Sequence, residues 1–145
     1  MTAVDFHTGL ADPLRFACRL LRKAVRQGAR IQVSAPPDVL DTLDRLLWTF
    51  EDKEFLPHVR QPGVPAELAA RTPIWLSEHA LGSGAPSVLV NLGAPAPADL
   101  RGLSRVIEIV GSSPEAAEQG RARWRDYVTA GCQPDHHARA QGADD

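Results

Sequence analysis

The sequence predicts an α/β fold: a single three-layer domain in which a mostly parallel β-sheet is flanked by helices. Short apolar segments alternate along the chain with longer segments whose apolar residues recur every three or four positions. Two of the short segments, 87–92 and 105–110, are apolar at most positions, as are strands that are buried on both faces. We therefore predict a Rossmann-like topology over residues 1–132, without a nucleotide site.

The first half of the chain is predicted to form two strands and two helices. Residues 3–7 alternate between apolar and polar types, as in a short strand. Asp12 and Pro13 favour a helix start, because the first is a good N-cap and the second suits the first helical position. The helical pattern continues from Leu14 to Gln27 and ends at Gly28. A strand over 30–34 and a helix over 38–48 follow.

The second half begins with residues 49–72, which follow no regular pattern. Strands are predicted over 74–77, 87–92 and 105–110. Ser113 and Pro114 indicate the start of the final helix, and Gly131 indicates its end. Residues 133–145 are polar, and we expect them to form a disordered C-terminal tail.

Composition excludes several classes of protein. The net charge of -2 argues against a protein that binds duplex DNA over a basic surface. No apolar run approaches the roughly 20 residues that a membrane-spanning helix needs, and the N-terminus lacks the features of a secretory signal. Two cysteines make no disulfide framework. These features predict a cytoplasmic protein without a membrane partner.

No catalytic, metal or cofactor site is predicted. Ser77 and His79 are close in sequence, but the nucleophile elbow of a hydrolase is absent. The glycines near 82–84 do not form a phosphate-binding loop or a dinucleotide fingerprint. His136 and His137 are residues of a type that binds metal ions, but two adjacent histidines lack the ligand spacing of a structural zinc site. A small α/β enzyme is therefore the weakest of the functions considered.

The final helix carries the most informative candidate site. Residues three and four apart are neighbours on a helix, so Arg121, Trp124 and Arg125 form one patch, with Val128 one turn below. Two guanidinium groups beside an indole suit a peptide that presents a carboxylate next to an apolar side chain. The alternative is a core stripe bordered by arginines, which would consist of Ala117, Gly120, Trp124, Tyr127 and Val128.

Two further surfaces each have a structural and a functional interpretation. The first helix has a basic face, which consists of Arg15, Arg19, Arg22, Lys23 and Arg26. This face is either simply solvated, or it attracts an acidic protein tail or a nucleic-acid backbone electrostatically. The segment 48–58 is rich in aromatic residues, and it either fills the core, at least at Trp48, or forms an exposed partner interface.

The chain resembles the chi subunit family of bacterial DNA polymerase III over roughly residues 3–131. The most specific part is Leu47-Trp48-x-Phe50 followed by Phe55-Leu-Pro-His58, together with Arg121-Ala-Arg-Trp-Arg-Asp-Tyr127 before Gly131. Further similarity lies in Asp12-Pro-Leu, Cys18-Arg-Leu-Leu-Arg-Lys-Ala, Leu43-Asp-Arg-Leu-Leu-Trp48 and Val88-Leu-Val-Asn-Leu92.

The resemblance implies a non-catalytic accessory subunit of the clamp-loader assembly in DNA replication, within a DNA-directed DNA polymerase holoenzyme. Such a subunit bridges the psi subunit to the acidic C-terminal tail of single-stranded-DNA-binding protein. Its contact with DNA is mainly indirect, and its place is the nucleoid-associated replisome. The alternative from the residues themselves is a protein that binds single-stranded nucleic acid directly through the basic face of the first helix.

The resemblance also implies site residues. The tail site would consist of Val110, Arg121, Trp124, Arg125 and Val128. Arg121 would bind the terminal carboxylate of the tail, Trp124 and Val110 would bracket its phenylalanine, and Arg125 would meet its aspartates. A lysine of the family one turn before Arg121 is Ala117 here, so one charge contact is missing. The psi-binding surface, which a helicase-like protein could also use, would consist of Trp48, Phe50, Phe55, Leu56, Pro57 and His58.

Overall fold

The computed structural model describes residues 1–49, 55–82 and 84–138. In chain order the elements are β1 Ala3–Leu10, α1 Pro13–Arg26, β2 Ile31–Ser34, α2 Pro37–Thr49, β3 His58–Arg60, α3 Ala66–Arg71, β4 Ile74–Ser77, β5 Val88–Asn91, β6 Arg105–Gly111, α4 Pro114–Thr129 and β7 Asp135–Ala138. The strands form one sheet in the order β3-β4-β2-β5-β6-β1-β7. Every pair of neighbouring strands is parallel. The predicted fold class is confirmed.

The two faces of the sheet are covered by different helices. On one face the apolar sides of α1 and α2 pack on the sheet, for example through Leu21 and Leu43 against Val33 and Val90. On the other face α4 covers Phe6 and Val106 with Tyr127. The sheet is thus the middle of three layers, and β6 and β1 lie beneath α4.

The predicted helix starts are confirmed at both ends of the chain. An Asp12 carboxylate oxygen accepts a hydrogen bond from the Arg15 backbone N–H at 3.0 Å, and the Ser113 hydroxyl accepts one from the Ala116 N–H at 3.1 Å. Each cap is followed by proline at the first helical position. Both helices follow strand ends, at Leu10 and Gly111, so they begin at the carboxyl edge of the sheet.

Two segments differ from the sequence-based expectation. Residues 49–72 contain β3 and α3, which are three and six residues long and therefore too short to show a hydrophobic period. The prediction of a disordered tail from 133 is wrong for Asp135–Ala138, because these residues form β7. All four residues are exposed, so β7 has no apolar face. It is held by backbone pairing with β1 instead.

Both cysteines, Cys18 and Cys132, are free thiols and are buried. Burial raises the pKa of the Cys18 thiol to about 11, and the nearby Asp12 carboxylate adds to this increase.

In the described parts of the chain, no helix combines the length and the apolar character that crossing a bilayer requires.

Candidate peptide-binding site

The site is built around a close contact between α4 and β6. A Cβ atom placed on Gly120 would lie 2.9 Å and 3.1 Å from the two methyl carbons of Val110. Those distances are shorter than carbon–carbon contacts allow, so the backbone of α4 packs directly on Val110 only because residue 120 has no side chain. This contact sets the positions of Arg121 and Trp124 relative to the strand ends.

Beside this contact lies a cavity of about 480 Å³, which we call the recognition notch. It is bounded by α4, the carboxyl ends of β1 and β6, and β7. Its lining is mostly apolar and consists of Phe6, Thr8, Gly9, Val110, Gly111, Ser112, Ala117, Gly120, Arg121, Trp124 and His136. The notch therefore offers an apolar floor with a few polar groups at its rim.

Three residues of the predicted tail site, Val110, Arg121 and Trp124, come together in the notch. The Trp124 ring is partly buried and packs on Phe6, with ring centroids 5.0 Å apart at 59°. The indole is thus both a wall of the notch and a part of the core, so the two interpretations of this residue are compatible. Arg121 is exposed and has no hydrogen bond or ion pair with the described residues. Its guanidinium group is available to a ligand.

Arg125 and Val128 do not line the notch. Both are exposed, and Val128 keeps 50% of its surface accessible. One residue advances a helix by about 100°, which turns Arg125 away from Trp124, and one further turn moves Val128 about 5.4 Å from the strand ends. Both residues thus lie on α4 outside the cavity, and their part in binding the tail stays a prediction.

Part of the predicted apolar core stripe of α4 is present in the structure. Gly120 and Tyr127 are buried, as that alternative predicts, whereas Val128 is not. The helix therefore contributes one set of residues to the core and an adjacent set to the notch.

Behind the notch, Glu108 is the centre of a buried polar network that the sequence analysis missed. The side chain is fully buried in β6. Its Oε1 accepts a hydrogen bond from Arg123 Nε at 2.8 Å, and its Oε2 accepts from the Tyr127 hydroxyl at 2.6 Å and from Asn91 Nδ2 at 2.9 Å. The network ties α4 to β5 and β6 and so fixes the helix that carries Arg121 and Trp124.

The electrostatics of the network reflect its burial. Burial raises the pKa of Glu108 above its ordinary value, although the Arg123 charge and the three hydrogen bonds act in the opposite direction. Burial also raises the pKa of Tyr127, and the adjacent Glu108 carboxylate raises it further. A signal for this network was present in the sequence, since Glu108 is a charged residue between the apolar pairs 106–107 and 109–110.

His136 is a second site residue that the sequence analysis did not assign to this site. Its Nε2 lies 2.6 Å from the Thr8 hydroxyl, and its ring meets Trp124 edge-on, with centroids 6.1 Å apart at 76°. No local pattern indicates this role, because β7 is recognisable only through its pairing with β1. Among the described residues, no group of three or more histidine, cysteine, aspartate or glutamate side chains is arranged to hold a metal ion.

A second candidate surface lies near the end of α2. Trp48 is 61% exposed and Phe55 49% exposed, and their rings stack with centroids 4.5 Å apart. Together with the exposed Pro57 they form what we call the aromatic patch. The core-filling alternative is therefore wrong for Trp48. Phe50, which was predicted for the same surface, lies outside the described residues.

Leu56 and His58 support the aromatic patch from beneath. Leu56 is buried in the core, and the His58 side chain is only 3% exposed. His58 Nδ1 lies 2.7 Å from the Leu56 carbonyl oxygen, and Nε2 lies 2.5 Å from an Asp44 carboxylate oxygen. The side chains of both residues are thus buried rather than exposed, and their assignment to psi binding stays a prediction.

The basic face of α1 is present as predicted. Arg15, Lys23 and Arg26 are exposed, whereas Arg19 and Arg22 are partly buried. Arg15, Arg19 and Arg22 line a shallow cavity of about 400 Å³ against α2. The face lies on the opposite side of the sheet from the recognition notch, because α1 and α4 cover different faces.

Comparison with known proteins identifies the family of the chain. Residues 1–135 match the model of a family described as "DNA polymerase III chi subunit, HolC". The DNA polymerase III subunit chi of Pseudomonas aeruginosa is 36% identical over 141 residues, which cover 90% of this chain and 92% of that protein. The chain therefore belongs to the DNA polymerase III chi subunit family, and it is an accessory subunit in replication that is not catalytic by itself.

Proposed function

We propose that the chain is an adaptor of the clamp-loader assembly that binds the acidic C-terminal tail of single-stranded-DNA-binding protein in the recognition notch. The observation that supports this most is the exposed Arg121 guanidinium, unpaired among the described residues, at the rim of an apolar cavity walled by Val110 and Trp124. In this proposal the protein works at the nucleoid-associated replisome in the cytoplasm, and its contact with DNA is mainly through the coating protein.

The chemistry of the notch suits a tail that ends in an aromatic residue. A cavity of about 480 Å³ accommodates a phenyl ring between Trp124, Val110 and Phe6. Arg121 then reaches the terminal carboxylate, for which the planar guanidinium offers two parallel hydrogen bonds. Among the described residues, no aspartate or glutamate lines the notch, so none of these side chains repels an acidic peptide there. The exposed Arg125, outside the cavity, adds attraction for the preceding aspartates.

Replacing Arg121 by alanine is expected to weaken tail binding by about 1.5–3 kcal/mol, because a charged hydrogen bond to the carboxylate is lost. The wild-type protein should bind a synthetic peptide ending in Asp-Ile-Pro-Phe with roughly micromolar affinity, about -8 kcal/mol. Added salt should weaken this binding, because it screens the charges. Isothermal titration calorimetry measures all three effects.

Arg71→Ala is the matched control, since Arg71 is an exposed arginine at the end of α3. It should leave the affinity unchanged. A peptide with an amidated C-terminus should lose much of its affinity for the wild-type protein but little for Arg121→Ala. Equal binding of the free-acid peptide by wild type and Arg121→Ala would refute the role given to Arg121.

We further propose that the aromatic patch binds the psi subunit, because two adjacent large aromatic side chains are exposed in one stack. Trp48→Ala should weaken binding to purified psi by about 2 kcal/mol or more, as truncation of a central aromatic anchor does. Surface plasmon resonance measures the effect. Leu68→Ala is the control, because Leu68 is also an exposed apolar residue, at 53%, and it lies on α3.

Because Trp48 is exposed, its truncation should leave the melting temperature nearly unchanged. Loss of psi binding together with a large fall in melting temperature would instead assign Trp48 to the core. A helicase-like protein that uses the same patch should compete with psi, and the Trp48→Ala change should weaken both.

The basic face of α1 favours one alternative, direct binding of single-stranded nucleic acid. Its three arginines that share a cavity could neutralise backbone phosphates. Tight binding to a bare oligonucleotide, with a steep dependence on salt, would support this alternative. Binding only in the presence of single-stranded-DNA-binding protein, lost in Arg121→Ala, would support the adaptor.

A further inference from the structure

Strand β7 brings His136 into the recognition notch. In the parallel pairing of β7 with β1, His136 lies opposite Phe6 and His137 lies opposite His7. Side chains alternate between the two faces of a sheet, so His136 lies on the α4 face and His137 on the α1 face. Two adjacent histidines are thus separated by the sheet, and only one of them belongs to the notch.

Two contacts hold the His136 ring at the notch wall. Nε2 lies 2.6 Å from the Thr8 hydroxyl, and the ring edge meets Trp124. A hydroxyl group can either accept a hydrogen bond from a ring N–H or donate one to a bare ring nitrogen. The Thr8 contact is therefore compatible with both the neutral and the protonated imidazole. The residue is exposed, so a ligand and a proton can both reach it.

Within the part of the chain that the structure describes, no carboxylate faces the His136 ring on its side of the sheet. From α4, the residues that face it are Trp124 and the cationic Arg121, and from β1 they are Phe6 and Thr8. The Asp5 and Asp135 carboxylates lie on the opposite face of the sheet, since they pair with each other one position before Phe6 and His136. Among the described residues, the lining contributes positive charge only.

We propose that His136 is a titratable cation of the recognition notch. When an acidic peptide binds, the ring takes up a proton from solvent and the imidazolium binds a ligand carboxylate. Peptide affinity should then increase as the pH falls from 8 to 6, the range in which histidine changes its charge. This inference rests on the proposed function of the notch as a site for acidic tails.

The test is calorimetry of the full chain with the peptide ending in Asp-Ile-Pro-Phe, at pH 6, 7 and 8 and at constant ionic strength. The wild-type affinity should be about 3- to 10-fold higher at pH 6 than at pH 8, because a ligand carboxylate then gains one charged partner. At pH 7, titrations in two buffers that differ in ionisation enthalpy should show net uptake of protons.

Three variants assign the effect. His136→Gln should lose the pH dependence of the affinity between pH 6 and pH 8, since it removes the ring that changes its charge. His136→Lys should bind at pH 8 about as well as the wild type at pH 6, because its charge is permanent. His137→Gln, on the other face, should behave as wild type.

A wild-type affinity that does not change with pH, or an unchanged pH profile in His136→Gln, would overturn the proposal. If circular dichroism showed that His136→Gln is misfolded, the pH dependence of peptide binding by His136→Lys would test the proposal. Tail binding that needs Arg121 but is independent of pH would refute only the role of His136. Absence of binding at every pH would refute the proposed function of the notch as well.

Discussion

Replacing Arg123 by leucine is expected to destabilise the protein by about 3–5 kcal/mol, because the partner carboxylate stays buried without its counter-charge. Arg123 Nε donates to Glu108 at 2.8 Å, and neither side chain has appreciable access to solvent. Urea unfolding, followed by the fluorescence of the tryptophans, measures the loss in the free energy of unfolding.

The sign of the pH dependence follows from the carboxyl group that remains. Burial already raises the pKa of Glu108, and removal of Arg123 takes away a charge that lowers it. A folded-state pKa above the unfolded value favours the protonated form, so stability is lost as the pH rises through it. The destabilisation of Arg123→Leu should therefore be larger at pH 8 than at pH 5.

Two controls separate this electrostatic effect from simple loss of packing. Adding Glu108→Gln to Arg123→Leu should restore part of the stability, because the amide oxygen still accepts from Tyr127 but carries no charge. Arg125→Leu, at an exposed position of the same helix, should change stability by no more than about 0.5 kcal/mol. Equal losses in Arg123→Leu and Arg125→Leu would contradict the structure of the network.

Gly120→Ala is the second change with a large expected effect. The new methyl group would lie 2.9 Å from a methyl carbon of Val110, so α4 must move away from β6. Overpacking of this kind costs about 1–3 kcal/mol, against a gain of up to about 1 kcal/mol in helix propensity. Thermal unfolding should show the net loss, and tail-peptide binding should weaken because Arg121 and Trp124 move relative to Val110.

Removing the methyl groups of Val110 should compensate for this clash. The double variant Gly120→Ala with Val110→Ala should be more stable than expected from the sum of the two single changes, as coupled neighbours are. Gln119→Ala, at an exposed neighbouring position, is the control and should be close to neutral. Full wild-type stability of Gly120→Ala would show that the helix does not approach the strand as described.

Apart from β3, α3 and β7, the helices and strands could be predicted from the sequence because their signals are local. The Asp12–Pro13 and Ser113–Pro114 pairs start helices through contacts within one turn. The apolar run at 105–110 indicates a strand buried on both faces wherever it lies in the sheet. The motifs at 48–58 and 121–127 likewise identified the family, and the comparisons confirm that identification.

The direction in which each arginine of α4 points depends on the tertiary structure. Arg121, Arg123 and Arg125 are alternate residues of one helix, and the first and third were predicted from the sequence to share one site. The structure instead turns Arg123 inward to Glu108, leaves Arg121 at the notch and exposes Arg125 outside it. The buried acceptor that selects Arg123 lies on another strand, 15 residues away in sequence.

By itself, the sequence determined the alternation of strands and helices and the family. It also indicated the aromatic patch and the basic face of α1, because the residues of each lie close together in the chain. Only the tertiary structure decided that His136 belongs to the notch, where it meets Thr8, 128 positions earlier in the chain. A strand without an apolar face leaves no periodic signal, since its stability comes from backbone hydrogen bonds to a neighbour that the chain reaches only on folding.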